Sequence, residues 1–101
     1  MENKANQNRK RGKRFEKEIA KRLGGTRVGL LGKTDVLTDN GLFAIECKSR
    51  KVFAGMKFLS QAKANAPLNK IPVVIIHLTN QRHTEDIVML SLKDWLDLHG
   101  G

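Results

Sequence analysis

The sequence predicts an α/β domain in which helices flank a mixed β-sheet. Three observations indicate this fold class: helical spacing of apolar residues near the N-terminus, an Asn-Gly dipeptide between two strand-like segments, and a later helix long enough to link two parallel strands. The chain has 101 residues, 40% of them hydrophobic, which is enough for the core of one domain. The predicted order of elements is α-β-β-β-α-β-β-α.

The first helix is predicted over residues 9–23, after a polar segment, residues 1–8, that we interpret as a mobile tail. Apolar side chains recur on one face of this helix at intervals of four residues: Phe15, Ile19 and Leu23. The helix is expected to end at Gly24, because glycine adopts the left-handed conformation that often closes a helix. A short strand over residues 26–30 and a glycine-containing loop over residues 29–33 follow.

A β-hairpin is predicted next, because Asn40-Gly41 separates two strand-like segments, residues 35–39 and 42–48. Asn and Gly both tolerate the positive φ angles that a two-residue type I′ turn requires. This turn fixes the register of the two strands, so that the numbers of facing residues sum to 81.

The second half of the chain is predicted to contain two helices and two strands. A helix over residues 54–66 ends before Pro67 and connects the hairpin to a buried parallel strand, residues 71–78. A short strand over residues 87–90 leads to a final helix that Ser91 starts as its N-cap. The large apolar side chains of these segments are expected in the core: Phe53, Phe58, Trp95, Leu96 and Leu98.

Basic charge is concentrated in the first third of the chain. Residues 1–33 hold 11 basic and 3 acidic residues (net +8), whereas residues 34–101 hold 8 and 7 (net +1). This asymmetry indicates a polyanionic partner, with nucleic acid first and an anionic membrane second; basic charge that only aids solubility is the alternative. The residues expected to contact DNA are Arg9, Lys10, Arg11, Lys13, Arg14 and Lys33.

Several other classes of protein are excluded by composition. The single cysteine, Cys47, rules out a disulfide framework and fits a reducing cytosol. No apolar segment of a secretory signal is expected, and the longest apolar run, residues 73–76, is far too short to cross a membrane. Metal-ligand spacing is not found among the three histidines, His77, His83 and His99.

The hairpin register is expected to bring two carboxylates and one ammonium group together. Asp35 lies opposite Glu46, and Lys48 shares their face because side chains alternate along a strand. The other face directs three side chains into a core: Phe43, Ile45 and Cys47. Opposed carboxylates repel each other, and Mg²⁺ would remove the repulsion because it binds one or two carboxylates together with a substrate phosphate. A solvated surface cluster in which Lys48 offsets the two acids is the alternative.

Two acidic residues of the first helix differ in the face that they occupy. At 100° per residue, Glu16 falls within the apolar arc that contains Phe15 and Ile19, whereas Glu18 falls on the opposite, solvated side. A carboxylate on a buried face is costly unless it is paired or near a metal. Glu16 is therefore a candidate site residue, with a plain salt bridge as the alternative.

These residues resemble a known group of nucleases. Asp35, followed by Glu-Cys-Lys at residues 46–48, resembles the PD-(D/E)xK nuclease motif. Residues 11–18, in which a basic residue and a glycine precede Glu16, resemble the first motif of archaeal-type Holliday junction resolvases. The resemblance covers residues 11–66, and it implies a restriction-endonuclease-like fold.

The resemblance also implies a role for each matching residue. The metal ligands for Mg²⁺, or Mn²⁺ as a substitute, would be Asp35, Glu46 and the backbone carbonyl of Cys47. Lys48 would orient the attacking water and stabilise charge on the phosphate, and Glu16 would complete the site. Gln61, on the helix after the motif, resembles an accessory glutamine of related nucleases.

The function implied is that of a metal-dependent DNA endonuclease, and more specifically of a resolvase that makes paired nicks in four-way junctions. A homodimer is expected, because one chain supplies one active site and two symmetric nicks need two. The expected location is the cytoplasm, or that of the host cell if the protein is phage-encoded. Two alternatives stay open: a related endonuclease acting on duplex or branched DNA, and a non-catalytic DNA-binding module.

Overall fold

The computed structural model describes residues 4–29 and 34–100, which form helices and strands in the predicted order. The elements are α1 (Lys4–Leu23), β1 (Gly25–Arg27), β2 (Val36–Thr38), β3 (Phe43–Arg50), α2 (Gly55–Asn65), β4 (Ile71–Leu78), β5 (Ile87–Met89) and α3 (Leu92–Leu98). A short 3₁₀ helix, His83–Glu85, lies between β4 and β5. Within the described ranges, no helix combines the length and the apolar character that crossing a membrane requires.

The five strands form one mixed sheet with the spatial order β1-β2-β3-β4-β5. Strand β3 pairs with β4 in parallel, and the other three neighbouring pairs are antiparallel. Helix α2 makes the connection between the two parallel strands, as parallel pairing requires. The predicted α/β class and the predicted order of elements are thus confirmed.

The hairpin has the predicted register but a different turn. Val36 faces Ile45, so the facing residues sum to 81 as expected. Of the two turn residues, only Gly41 has a positive φ, of 78°, and its N–H donates to the Thr38 carbonyl. The Asn40 side chain accepts hydrogen bonds from the Thr38 hydroxyl and the Leu42 N–H, which favours a longer loop over the type I′ turn. The prediction of a type I′ turn was therefore wrong.

Helix α1 begins earlier than the sequence indicated. Residues 4–8, which the sequence analysis assigned to a polar tail, continue the helix to Lys4. This segment lacks glycine and proline, and nothing in it interrupts a helix. The predicted end is confirmed, because Gly24 follows the helix with a φ of 66°. Leu23, expected on the buried face, is 44% exposed.

The sheet separates two hydrophobic clusters. On the first face, α1 packs against the sheet through Phe15, Ile19, Ala20, Val36, Ile45, Val73 and Ile75. On the second face, α2 packs against it through Phe58, Leu59, Ala62, Val74 and Ile76. Strand β4 contributes to both clusters, which confirms the prediction that its continuous apolar run is buried on two sides.

Helix α3 follows the predicted cap but leaves its apolar side chains exposed. The Ser91 side chain accepts a hydrogen bond from the Asp94 N–H and caps the helix. Trp95, however, is 50% exposed, and other side chains predicted in the core are exposed as well: Phe53, Leu96 and Leu98. With only seven residues, α3 covers little of the sheet. Of the three aromatic residues expected in the core, Phe58 is buried.

Candidate active site

Asp35 lies immediately before β2, at the point where the β2–β3 ladder ends. Its backbone N–H donates to the Ile45 carbonyl at 3.2 Å, and its Oδ2 accepts a hydrogen bond of 2.8 Å from the Cys47 N–H. Asp35 is therefore not a ladder partner of Glu46, since the regular pairs stop at Val36. Its carboxylate is instead fixed against the backbone of β3, next to Glu46.

Glu46 and Lys48 project from β3 toward α2, on the same face, as predicted. Both residues are buried, at 5% and 7% exposure, and Lys48 Nζ lies 3.9 Å from Glu46 Oε1. Lys48 Nζ also lies 5.7 Å from the centroid of the Phe58 ring, so this ring of α2 helps to hold the ammonium group. Glu46 Oε2 is buried and has no hydrogen-bond partner in the part of the chain that the structure describes.

Two residues that the sequence analysis did not select support Glu46. The side-chain amide of Asn65, at the end of α2, lies close enough to the Glu46 carboxylate to lower its pKa. The Thr34 hydroxyl donates to the Asn65 carbonyl at 3.2 Å, which joins the segment before Asp35 to α2. Gln61, the predicted accessory residue, is exposed on α2 instead. Asparagine is common near helix ends, so the residue type alone does not identify Asn65 as a site residue.

Glu16 approaches the site from the opposite face of the sheet. Helix α1 packs on the face of Ile45, whereas Glu46 and Lys48 project from the other face of the sheet. Glu16 still interacts electrostatically with Asp35. Its Oε1 accepts a hydrogen bond of 2.9 Å from Arg27 Nε of β1. The salt bridge that the sequence left open is thus present.

Glu18 lies apart from these groups, in agreement with its predicted position. It forms an ion pair with Arg22 one turn along α1, at 3.3 Å. We refer below to Glu16, Asp35, Glu46 and Lys48 as the carboxylate site.

Burial raises the pKa of all three carboxyl groups in the carboxylate site. For Glu46, burial and then the neighbouring Asp35 charge raise the pKa to about 7, against the opposing effect of Lys48. The pKa of Asp35 is raised by burial, and the hydrogen bond from the Cys47 N–H opposes this. The pKa of Glu16 is raised by burial and by Asp35, while Arg27 opposes the shift. The site therefore has more carboxylate charge than its cationic side chains balance.

The carboxylate site suits a hard divalent cation. It offers carboxylate oxygens in a buried position where a cation would relieve mutual repulsion, and one of them, Glu46 Oε2, has no partner among residues 4–29 and 34–100. The carbonyls of Leu42, just before β3, and of Arg50, at its end, accept hydrogen bonds from the Ile71 and Thr79 N–H groups on the β4 side. Carbonyls alternate along a strand, so the Cys47 carbonyl faces Asp35 and can serve as a further ligand.

The spacing of the three acids further restricts the kind of ion. Among the described residues, only one group of three histidine, cysteine, aspartate or glutamate side chains has ligand atoms that all lie within 4.8 Å of each other. None of the three acids of the carboxylate site belongs to that group. The three acids of the carboxylate site are therefore not close enough together to bind one ion as a group of three: Glu16, Asp35 and Glu46. Mg²⁺ commonly uses one or two carboxylates and fills the other positions with water and phosphate, which fits this wider arrangement.

Cys47 has its side chain on the α1 face, as predicted. The thiol packs against the first hydrophobic cluster, and burial, followed by the nearby carboxylates, raises its pKa well above the usual range. The thiol therefore stays protonated at neutral pH and is a poor nucleophile.

A basic surface lies on α1, on the exposed side of the helix. It consists of the five predicted residues Arg9, Lys10, Arg11, Lys13 and Arg14, all of which are exposed. A cleft of about 650 Å³ is lined by Arg11 of the basic surface and by Glu16 of the carboxylate site, and it extends to Cys47 and Lys51. Lys33, the sixth predicted residue, lies outside the described residues.

The group that does close tightly consists of His77, His83 and Asp86. Sequence spacing gave no indication of it, because the end of β4 and the 3₁₀ helix meet only in the folded chain.

Comparison of the chain with protein-family models, with curated proteins and with solved structures found no match. Functional inference therefore rests on the sequence motif and on the geometry of these sites.

Proposed function

We propose that this protein is a Mg²⁺-dependent, structure-selective DNA endonuclease, and specifically a Holliday junction resolvase. The observation that carries the proposal is the buried Oε2 of Glu46, which has no hydrogen-bond partner among the described residues. The same carboxylate lies near Asp35, and its Oε1 is 3.9 Å from Lys48 Nζ. The resemblance of the same residues to the PD-(D/E)xK motif supports it, and so does the cleft that Glu16 shares with Arg11 of the basic surface.

The roles follow from the position of each group. Asp35, Glu46 and the Cys47 carbonyl would hold Mg²⁺, or Mn²⁺ in its place, and the bound ion would activate water and polarise the phosphate. Lys48 supplies a fixed positive charge for the negative charge that develops on the phosphate. Glu16, held by Arg27, accepts hydrogen bonds from water at the edge of the site. Hydrolysis adds water across the phosphodiester, and the 3′ oxygen leaves as a hydroxyl.

The basic surface would hold the DNA backbone. Phosphates on the exposed side of α1 would meet five basic side chains, and the cleft beside Arg11 reaches Glu16. This arrangement favours nucleic acid over the anionic membrane that the charge alone left open. We place the activity in the cytoplasm, where DNA and Mg²⁺ are both available.

We further propose that the active form is a homodimer. The exposed apolar residues of α3 border a groove of about 240 Å³ between α1 and the sheet, lined by Leu23, Val88, Leu90, Trp95 and Leu98 among others. A second copy that covers this groove would give a two-fold pair of carboxylate sites, one for each nick. Light scattering at micromolar concentration should give the mass of two chains.

A pair of matched variants tests the groove as the interface. Trp95→Ala should shift the protein toward monomer, whereas Phe53→Ala should not, because Phe53 is similarly exposed but lies outside the groove. A wild-type monomer that still cuts both strands in one binding event would contradict the dimer.

The function itself is tested by incubating the protein with a labelled four-way junction and with a linear duplex of the same arm sequence, with and without Mg²⁺. We expect paired nicks in the junction, only in the presence of Mg²⁺. Cleavage of the duplex at an equal rate would favour the related endonuclease. Binding without cleavage in Mg²⁺ or Mn²⁺ would favour the DNA-binding module.

A further inference from the structure

A second cluster of metal-binding side chains lies at the far end of β4. His77 is near the end of that strand, His83 begins the 3₁₀ helix, and Asp86 follows it directly. The Asp86 carboxylate, only 5% exposed, contacts both imidazoles: Oδ1 lies 2.7 Å from His77 Nδ1, and Oδ2 lies 2.9 Å from His83 Nδ1. One ligand atom from each of the three residues lies within 4.8 Å of the other two.

The two imidazole rings are held in place from several sides. Their centroids are 4.3 Å apart with an interplanar angle of 33°, and each ring lies 5.6 Å from the ring of Phe15 in the first hydrophobic cluster. Asp86 fixes one nitrogen of each ring, and Phe15 fixes the ring planes. Three potential ligands are therefore pre-positioned on a rigid part of the fold, which lowers the entropic cost of binding an ion.

The donor set identifies the class of ion. Two imidazole nitrogens and one carboxylate oxygen suit Zn²⁺ and similar transition metals, whereas Mg²⁺ prefers oxygen ligands alone. Ligands of a tetrahedral zinc site lie about 3.3 Å apart, given metal–ligand bonds of about 2.0–2.2 Å. The contacts of 2.7 and 2.9 Å involve different oxygens of Asp86, so an ion would enter between the carboxylate and the two rings and take the place of these contacts.

A pocket lined by His77 and His83 leaves room for a fourth ligand of the ion. Its volume is about 320 Å³, and Arg14, Ser49 and Asn80 contribute to its lining. Three protein ligands leave one site of a tetrahedral ion open for water or an anion. The arginine charge there opposes a bare cation and favours an anionic fourth ligand, such as a phosphate oxygen.

We propose that His77, His83 and Asp86 form a binding site for zinc or a similar divalent transition metal, distinct from the carboxylate site. The bound ion would tie the end of β4 to the 3₁₀ helix that precedes β5, and would present an open coordination position to the basic pocket. This inference does not depend on the nuclease proposal.

The site is tested with the full-length protein and Co²⁺, whose visible absorption reports tetrahedral coordination, in the presence of excess Mg²⁺ to fill the carboxylate site. We expect about one Co²⁺ per chain, displaced by Zn²⁺, and a zinc-dependent rise in the unfolding temperature. His83→Gln and Asp86→Asn should each weaken zinc binding at least tenfold and remove this rise. Circular dichroism verifies that each variant is folded.

Two control variants give the experiment its specificity. His99→Gln changes the histidine that follows α3, outside the cluster, and Asp35→Asn changes the carboxylate site; neither should alter the affinity for Zn²⁺. The proposal is overturned if Co²⁺ does not bind in excess Mg²⁺, or if the folded cluster variants bind Zn²⁺ as tightly as the wild type. It is also overturned if Asp35→Asn or His99→Gln abolishes binding.

Discussion

The carboxylate site and the basic surface are neighbours on the fold, but they differ in charge and in burial. The carboxylate site places three acids against Lys48 and Arg27, and much of it is inaccessible to solvent. The basic surface has five positive side chains, all exposed on α1. A polyanion can bind the second region readily, but the first repels it unless a cation intervenes. Binding and cleavage of DNA should therefore be separable by mutation.

The most severe test of this separation is Asp35→Asn. The substitution keeps the shape of the side chain but removes a carboxylate from the proposed metal ligands, so we expect cleavage to be abolished. DNA affinity should be unchanged or slightly higher, because one negative charge near the phosphates is lost. Single-turnover cleavage and a binding titration of the same junction measure the two effects. If Asp35→Asn cuts as fast as the wild type, the carboxylate site is not the active site.

The basic surface should determine how DNA affinity depends on salt. If its five side chains neutralise about five phosphates, the logarithm of affinity should fall against the logarithm of salt with a slope of roughly −4 to −5. The affinity would then drop several hundredfold between about 50 and 200 mM salt. Binding titrations at several salt concentrations measure the slope.

A double variant tests whether the basic residues of α1 determine this salt dependence. Arg9→Gln with Lys13→Gln should make the slope shallower by about 2, since two phosphate contacts are lost. The matched control, Lys63→Gln with Lys93→Gln, removes two exposed lysines elsewhere and should leave it unchanged. An equal change in both double variants would mean that the DNA lies on another surface.

Burial of the acids should make the metal-free protein less stable as the pH rises. The pKa of Glu46 is raised from 4.5 to about 7 in the folded state. The stabilising effect of the protonated carboxyl group is therefore fully present below about pH 4.5. It is lost as the pH rises through about 7. The change in unfolding free energy corresponds to roughly 3 kcal/mol at most. Urea unfolding with a chelator at about pH 5 and pH 8 measures it.

Glu46→Gln and Mg²⁺ should both counteract this loss. The variant has no carboxylate to ionise at this position, so its stability should vary less between the two pH values. Mg²⁺ should stabilise the wild type mainly at the higher pH, where the acids are charged. Glu18→Gln should retain the wild-type pH dependence. A Glu46→Gln variant with the full wild-type loss of stability would refute the burial argument.

The smallest effect distinguishes two acids on the same helix. Glu16→Gln should lower the rate of single-turnover cleavage at saturating Mg²⁺ by about tenfold or more, or about 1.4 kcal/mol of activation free energy, because Glu16 borders the carboxylate site. Glu18→Gln should change rate and stability little, since Glu18 forms a solvent-accessible ion pair with Arg22, away from the carboxylate site. Equal rates for the two variants would mean that Glu16 serves only as the partner of Arg27.

The contacts that the sequence could not indicate are those between distant segments. Arg27 and Glu16 are eleven residues apart and meet because β1 pairs at the edge of the sheet, beneath α1. Asn65 reaches Glu46 only because α2 crosses the sheet above β3. Neither pair has a periodic or a motif-based signal, since the residues belong to separate elements.

The sequence by itself determined the α/β class, the hairpin register that pairs Val36 with Ile45, the shared face of Glu46 and Lys48, and the end of α1 at Gly24. These features depend on side-chain alternation, on glycine conformation and on helical spacing, all of which act between residues close in the chain. The tertiary structure alone decided on which face Glu16 lies, that α3 leaves Trp95 exposed, and that two histidines gather around Asp86. The packing of whole elements sets the distances in these cases, and that packing minimises exposed apolar area over the entire chain.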